Sequence, residues 1–174
     1  EILAPGADKA IRYRLRAPDA NVYEFPLRHY ILGTHDESAY YWPEYHIRLF
    51  RRGSLRFGDR VHAGISVLAS HIGRIDGACI HHLSHPDVAT WIEKTNRYTS
   101  RPDRARAPDD GSDLVAFAAG RIAHWTAGAQ PDSYAAAVGV LRAVYDIVDR
   151  LKTWEEHRGL DGHAMFRETR DRLD

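Results

Sequence analysis

A short alternating stretch in the first third of the chain constrains the fold most strongly. Apolar and polar side chains follow one another there in the order Tyr45, His46, Ile47, Arg48, Leu49. A period of two is typical of a β-strand with one dry face. The polar side chains then point the other way, and the planar guanidinium of Arg48 suits a phosphate or a carboxylate on that open face. A solvated edge strand predicts the same alternation.

Strand and helix patterns are mixed in the first 100 residues, and only helical patterns follow. We expect further strands at 22–27 and 55–57 and from 73 to 83. Apolar residues at helical spacing predict helices at 6–17, 87–99, 113–126, 134–159 and 162–173. The mixture predicts an α/β fold, and 174 residues are enough to bury the core of one domain.

Local composition divides the chain into three parts. Residues 101–112 are rich in Arg, Pro, Asp and Gly and predict a linker loop between a unit at 1–100 and a helical extension at 113–174. Within the first unit, Pro26 predicts that the strand at 22–27 is an edge strand or ends irregularly, because proline cannot donate to a sheet ladder.

Composition excludes several classes of protein. Lys and Arg together number 24, as do Asp and Glu, so charge offers no argument for nucleic acid, and we expect none as a partner. The single cysteine, Cys79, excludes an intrachain disulfide framework and favours a reducing compartment. No apolar run of about 18 residues and no signal-peptide pattern occurs. The expected location is cytoplasmic, with peripheral contact at the inner face of the membrane left open.

Three histidines close together, His81, His82 and His85, invite a metal-site hypothesis, since neutral imidazole is a common ligand for transition metals. Strand alternation places His81 and His82 on opposite faces, so we do not expect them to share one ion. A small histidine-dependent metal hydrolase therefore has only this cluster in its favour.

Five short motifs occur in an order and at a spacing that carry a family resemblance: Tyr41–Tyr45, Arg48–Gly53, Arg60–His62, Ile80–His82 and Lys94–Thr99. With these motifs, roughly residues 1–100 resemble the second half of family 2 glycosyltransferases, which are inverting enzymes of the GT-A fold. The resemblance implies the acceptor-side portion of a GT-A fold, a short mixed sheet with flanking helices, followed by a helical C-terminal extension. It also implies that Glu1 follows the family's metal-binding Asp-x-Asp motif directly, with a nucleotide-binding half upstream.

The resemblance assigns a metal ligand and an anion-binding group. His82 falls on the histidine that joins the Asp-x-Asp motif around Mg²⁺ or Mn²⁺ in many GT-A enzymes, where the ion neutralises the diphosphate of the leaving nucleotide. Arg48 would contact phosphate or a polar group of the acceptor. We therefore expect His82, Arg48 and Glu1 to face one cavity.

The resemblance further implies a nucleotide-sugar donor and a carbohydrate or lipid-linked acceptor. Trp42 and Tyr45 would stack on sugar rings, and Lys94 matches a position that recurs in the family. The wide apolar stripe of the helix at 134–159 leaves homodimerisation open as an alternative to packing within the chain.

The general base is the weakest point of the resemblance. The family usually has Val-His-Glu where this chain has Val61, His62 and Ala63, and a methyl group cannot accept a proton. Three alternatives remain: His62 is the base, Glu44 or Asp59 reaches in from a neighbouring loop, or the chain is a non-catalytic binding module derived from a transferase.

Overall fold

The computed structural model describes residues 1–58, 64–101, 113–159 and 161–173. Seven strands are β1 (Ile2–Leu3), β2 (Val22–Ile31), β3 (Glu44–Phe50), β4 (Leu55–Phe57), β5 (Ile65–Val67), β6 (Gly73–Arg74) and β7 (Ile80–His85). Five helices in the described ranges are α1 (Ala7–Arg16), α2 (Val88–Thr99), α3 (Leu114–Trp125), α4 (Tyr134–His157) and α5 (Gly162–Leu173). The prediction of a mixed α/β chain with a short mixed sheet is confirmed.

β2 is the central strand of the main sheet, whose order is β1-β7-β2-β3, with β6 also paired to β2. β3 runs antiparallel to β2 on one side, and β6 and β7 run parallel to it on the other. The expectation that Pro26 restricts this strand to an edge is wrong. β6 pairs with Tyr23 and Glu24, whereas β7 begins its pairing at Leu27. Pro26 falls in the gap between them, where no donor is needed on that side.

β3 is an edge strand, and its buried face differs from the predicted one. The register with β2 shifts at Tyr23 and Glu24, so that Ile47 lies opposite Glu24 and Leu49 opposite Tyr23. A shift of this kind is a β-bulge, which redirects side chains along the strand. Leu49 packs against the core, but Tyr45 is 36% exposed. The alternation thus locates the strand correctly without identifying its dry side.

Two hydrophobic cores lie at successive positions along β2. The first packs α1 against the sheet through Ala7, Phe25, Leu27, Ile75 and Ile80, among others. The second packs α2 and α4 against the end of β2 and the following loop through Ile31, Tyr41, Trp91, Val138 and Leu141, among others. One face of β2 therefore passes from the first core to the second, and His29 is the polar position between Leu27 and Ile31.

The helices begin and end close to the predicted residues, but some of the residues predicted to be buried are exposed. Asp87 caps α2 by accepting from the backbone N–H of Thr90 at 2.7 Å. Trp91 of the predicted inward stripe of α2 is buried, whereas Val88 and Ile92 are about half exposed. α3 packs on α4, where Asp146 accepts from Arg121 and Trp125 at 2.7 and 2.8 Å. Within the described residues, no helix is long and apolar enough to cross a membrane.

Candidate functional site

Two histidines and a glutamate gather on one face of the sheet. His29 projects from β2, and Glu44 and His46 project from the adjacent part of β3. The register places Glu44 opposite Leu27 and His46 opposite Phe25, so all three polar side chains share the face on which β2 builds its cores. We call this group the His29–Glu44–His46 cluster.

Each oxygen of Glu44 is close to one imidazole. The Nε2 atom of His29 lies 2.8 Å from Oε2, and the Nε2 atom of His46 lies 3.0 Å from Oε1. The candidate ligand atoms of the cluster all lie within 4.8 Å of one another. The side chains of His29, His46 and Glu44 are 14%, 36% and 47% exposed, so the cluster has a buried end and an open end.

The two Nε2 atoms are close to the carboxylate but poorly aligned with it. Both are buried from solvent, and neither makes a hydrogen bond of acceptable angle within the described residues. His29 and then His46 nevertheless hold the pKa of Glu44 well below its usual range, chiefly through their short contacts with the carboxylate and only secondarily through their charges. A carboxylate with so low a pKa accepts a proton poorly, which argues against Glu44 as the predicted general base.

His82 adjoins the cluster on its buried side. It pairs in register with His29 across β7 and β2, and the two Nδ1 atoms lie 3.1 Å apart. One of these nitrogens must donate and the other accept. Burial, and next the charge of His29, lower the pKa of His82 and favour the neutral ring that a metal ligand requires.

Arg48 has a carboxylate partner within the chain. Its Nε and Nη2 atoms donate to the two oxygens of Glu1 at 2.8 and 2.7 Å, and its Nη1 donates to the carbonyl of Ile47 at 2.9 Å. This pairing lowers the pKa of Glu1 to about 2, and the charge of His82 contributes in the same direction. β1 runs antiparallel to β7 with Ile2 opposite His81, so Glu1 comes opposite His82 and shares its face of the sheet. The structure thus brings together the three residues that the resemblance groups, with Arg48 already bound to Glu1.

Trp42 and Tyr45, the predicted sugar-stacking residues, lie in different surroundings. The guanidinium of Arg28 lies 5.5 Å from the ring of half-buried Trp42, and His35 packs edge-on to it. Tyr45 lies on the opposite face of β3 from the cluster, where the guanidinium of Arg74 sits 4.1 Å from its ring. Packing with arginine accounts for much of the surface that the predicted sugar stacking would use.

Lys94 lines a separate cavity of about 290 Å³ beside α2 and α4. Its Nζ donates to the carbonyl of Ser84 at 3.4 Å. Burial is the main cause of the lowered pKa values of His82 and His85, and the charge of Lys94 is a smaller cause in the same direction. Aromatic and cationic groups share the lining: His85, Trp91, Tyr98, Arg142 and Tyr145. A cavity of this composition suits a polar ring or an anion.

The predicted separation of the neighbouring histidines is confirmed. His81 lies 2.9 Å from the hydroxyl of Tyr30 through its Nδ1, whereas His82 contacts His29 on the other face. His85 packs on Trp91 with ring centroids 4.4 Å apart. Among the described residues these three histidines do not form a common ligand set, so the hydrolase hypothesis loses its only support.

Two predicted base candidates, His62 and Asp59, lie outside the described residues, as does Ala63. His29 and His46 are residues that sequence reasoning did not single out. Their signals were present: Glu44 and His46 are two apart on one strand, and His29 continues the inward series of Phe25 and Leu27. Neither pattern predicts that β2 pairs with β3, which is what brings the three side chains together.

No family model, curated protein or solved structure matches this chain.

Proposed function

We propose that this chain supplies the acceptor-side part of an inverting glycosyltransferase that moves a sugar from a nucleotide donor to a hydroxyl acceptor. One observation carries the proposal. Glu1, Arg48 and His82, which are far apart in sequence, lie on one face of the sheet and interact electrostatically. The resemblance to family 2 glycosyltransferases groups the same three positions around the leaving diphosphate.

In this proposal His82 would supply one ligand to a divalent ion, and the resemblance assigns the other ligands to the Asp-x-Asp motif. The Nδ1 atom of His82 contacts His29, which leaves Nε2 as the nitrogen able to coordinate, and the lowered pKa favours a neutral ring. Imidazole suits Mn²⁺ better than Mg²⁺, which prefers oxygen ligands. When bound there, the ion supplies positive charge that stabilises the departing diphosphate.

The remaining residues have supporting roles in this proposal. Arg48 holds the Glu1 carboxylate on the sheet face through two charge-assisted hydrogen bonds. The cavity lined by Lys94 and Trp91 lies next to His85 and is the candidate acceptor pocket. The low pKa of Glu44 leaves His62 and Asp59 as the candidates for the base that takes the acceptor proton.

The first test is Mn²⁺ binding in the presence of UDP, monitored by electron paramagnetic resonance of the ion, in a sample that contains the nucleotide-binding part of the enzyme as well as this chain. We expect His82→Ala to weaken binding by at least about tenfold, as loss of a ligand requires. His81→Ala is the matched control, because His81 is adjacent in sequence but faces away toward Tyr30. Equal binding by wild type and His82→Ala would refute the assigned role of His82.

The second test is sugar transfer from a panel of nucleotide sugars, again with the nucleotide-binding part of the enzyme present. We expect His62→Ala or Asp59→Ala to lower the rate by about 10²–10⁴, the usual contribution of a general base, and Glu44→Ala to lower it much less. Retained Mn²⁺–UDP binding with no transfer to any acceptor would instead favour the non-catalytic binding module, which Ala63 at the family's base position also favours.

A further inference from the structure

We propose that His29, Glu44 and His46 bind a divalent transition-metal ion of the zinc class, at a site distinct from the diphosphate position at His82. Two imidazoles and one carboxylate are a common ligand set for zinc and for non-haem iron. Among the described residues they are the group of at least three potential ligands close enough to hold one ion. The inference stands on this geometry and does not depend on sugar transfer.

The observed separations need little change to accept an ion. Zinc bonds of about 2.0–2.1 Å to nitrogen and oxygen at tetrahedral angles separate the two ligand atoms by about 3.3 Å. The Nε2 atoms of His29 and His46 now lie 2.8 and 3.0 Å from the oxygens of Glu44. An outward shift of less than about 0.5 Å in the half-exposed Glu44 side chain brings these two separations to that value, and the candidate ligand atoms, all within 4.8 Å of one another, would close around the ion.

Both Nε2 nitrogens are available to coordinate a metal ion. In a structural Glu–His pair the N–H group should point at the carboxylate oxygen. Here the Nε2 atoms of His29 and His46 are buried and lack an aligned hydrogen bond in the described part of the chain. An ion between them and Glu44 would satisfy both nitrogens and both carboxylate oxygens together.

The surroundings provide a fixed base and an open side. His29 is held between the two cores, with the ring of Tyr41 at 5.4 Å and that of His82 at 4.9 Å. Glu44 and His46 lie on the edge strand and are more exposed. The open side gives an ion a path of entry and leaves a coordination position for water or a small ligand.

The contact between His29 and His82 gives His82 a positioning role. When Nε2 of His29 coordinates an ion, its remaining proton must lie on Nδ1, and Nδ1 of His82 is the acceptor at 3.1 Å. His82 then carries its own proton on Nε2. Conversely, if His82 presents an unprotonated Nε2, its Nδ1 proton is donated to His29, whose own proton lies on Nε2. The neutral pair can therefore offer a coordinating Nε2 from only one ring at a time.

This shared proton has a measurable consequence. An ion at the His29–Glu44–His46 cluster leaves His82 with a protonated Nε2, which cannot coordinate a second ion. Zinc at the cluster and Mn²⁺ at His82 should therefore compete, although no ligand is common to both sites. Displacement of Mn²⁺–UDP by stoichiometric zinc is expected if both proposals hold.

The test is titration of the chain with Zn²⁺ by calorimetry and with Co²⁺ by visible absorption, without nucleotide. We expect one ion per chain. Glu44→Gln and His46→Ala should each weaken affinity by more than about 100-fold, and His82→Ala by about 10–100-fold, the range for loss of a residue that orients a ligand. His163→Ala on exposed α5 is the control and should bind like wild type. Circular dichroism verifies that each variant is folded.

The outcomes separate this proposal from the proposed function. No stoichiometric Zn²⁺ or Co²⁺ binding, or equal affinity in wild type, Glu44→Gln and His46→Ala, overturns the metal site and leaves the transferase proposal untouched. Stoichiometric zinc that depends on Glu44 and His46, together with no Mn²⁺–UDP binding in zinc-free samples, supports the metal site while removing the role of His82 in sugar transfer.

Discussion

Arg48 and Glu1 show how a single pair of charges links distant parts of the sheet. Glu1 precedes β1 and Arg48 lies on β3, at opposite ends of the strand order, yet the guanidinium and carboxylate make two hydrogen bonds. Arginine matches a carboxylate in this geometry better than lysine does, because its fork of donors is planar. The predicted anion-binding arginine therefore binds an anion of its own chain.

The Glu1–Arg48 pair predicts a pH-dependent contribution to stability. The pKa of Glu1 is about 2 in the folded chain, compared with an ordinary value of 4.5, so the unfolded chain binds the proton more readily. The contribution is complete at neutral pH and is lost as pH falls from about 4.5 toward 2. At neutral pH we expect the free energy of unfolding of wild type to exceed that of Glu1→Gln by less than about 1 kcal/mol, since the pair is partly exposed.

Urea unfolding of both proteins between neutral pH and pH 2 measures this difference. Asp171→Asn, an exposed change on α5, is the control for general loss of a negative charge. A difference between wild type and Glu1→Gln that stays constant across this range would contradict the assigned pKa.

At the scale of elements, the α3–α4 pair depends on close backbone approach and on one acidic side chain. Gly139 of α4 faces the end of α3, where an added Cβ would overlap the carbonyl oxygen of Trp125. The Oδ2 atom of Asp146 accepts from Arg121 and Trp125 on α3. Its Oδ1 atom pairs with Arg142 of α4 at 2.9 Å. Small size at one position and charge at another thus set how these helices pack.

Gly139→Ala is predicted to destabilise the chain by about 1–3 kcal/mol, because the backbone of α3 must move to admit the methyl group. Gly120→Ala on α3 is the matched control, since nothing lies within 4 Å of its added Cβ. That control should gain about 0.5–1 kcal/mol from helix propensity. Free energies of unfolding in urea test both, and equal signs for the two changes would refute the proposed close contact.

Over the whole molecule, α4 of the helical region shares a core with the end of β2. The second core takes Ile31 and Tyr41 from the first predicted unit and Val138 and Leu141 from the predicted extension. The hydroxyl of Tyr134 lies 2.5 Å from the carbonyl of Ile31 and 3.0 Å from that of Thr34. These contacts tie α4 to the turn at the end of β2.

Tyr134→Phe is predicted to lower the free energy of unfolding by about 1 kcal/mol, because the carbonyl of Ile31 loses one of its two donors among the described residues in a partly buried position and keeps only the N–H of Thr34. Unfolding followed both by the helical signal and by tryptophan fluorescence should shift to lower urea in one transition. Tyr13→Phe, an exposed change on α1, should have no effect. A shift in one signal alone would contradict a single cooperative unfolding transition.

Local patterns in the sequence were sufficient for the elements and for some of their ends. The alternation around Ile47 located β3, the apolar spacing after Tyr134 located α4, and the helical pattern predicted from residue 87 located α2. Opposite faces for His81 and His82 also followed from strand geometry alone. Each of these properties depends on neighbours within a few residues, which is why periodicity and capping chemistry predict them.

Only the tertiary structure decided which elements are neighbours and at what register. Pro26 is tolerated at the centre of the sheet because two separate strands meet beside it, and Arg48 finds Glu1 across the sheet. The His29–Glu44–His46 cluster exists because β2 pairs with β3 at one register, and His82 joins it because β7 returns parallel to β2 some 50 positions later. Such contacts are set by the burial of two cores together, a property of the whole chain that no local pattern contains.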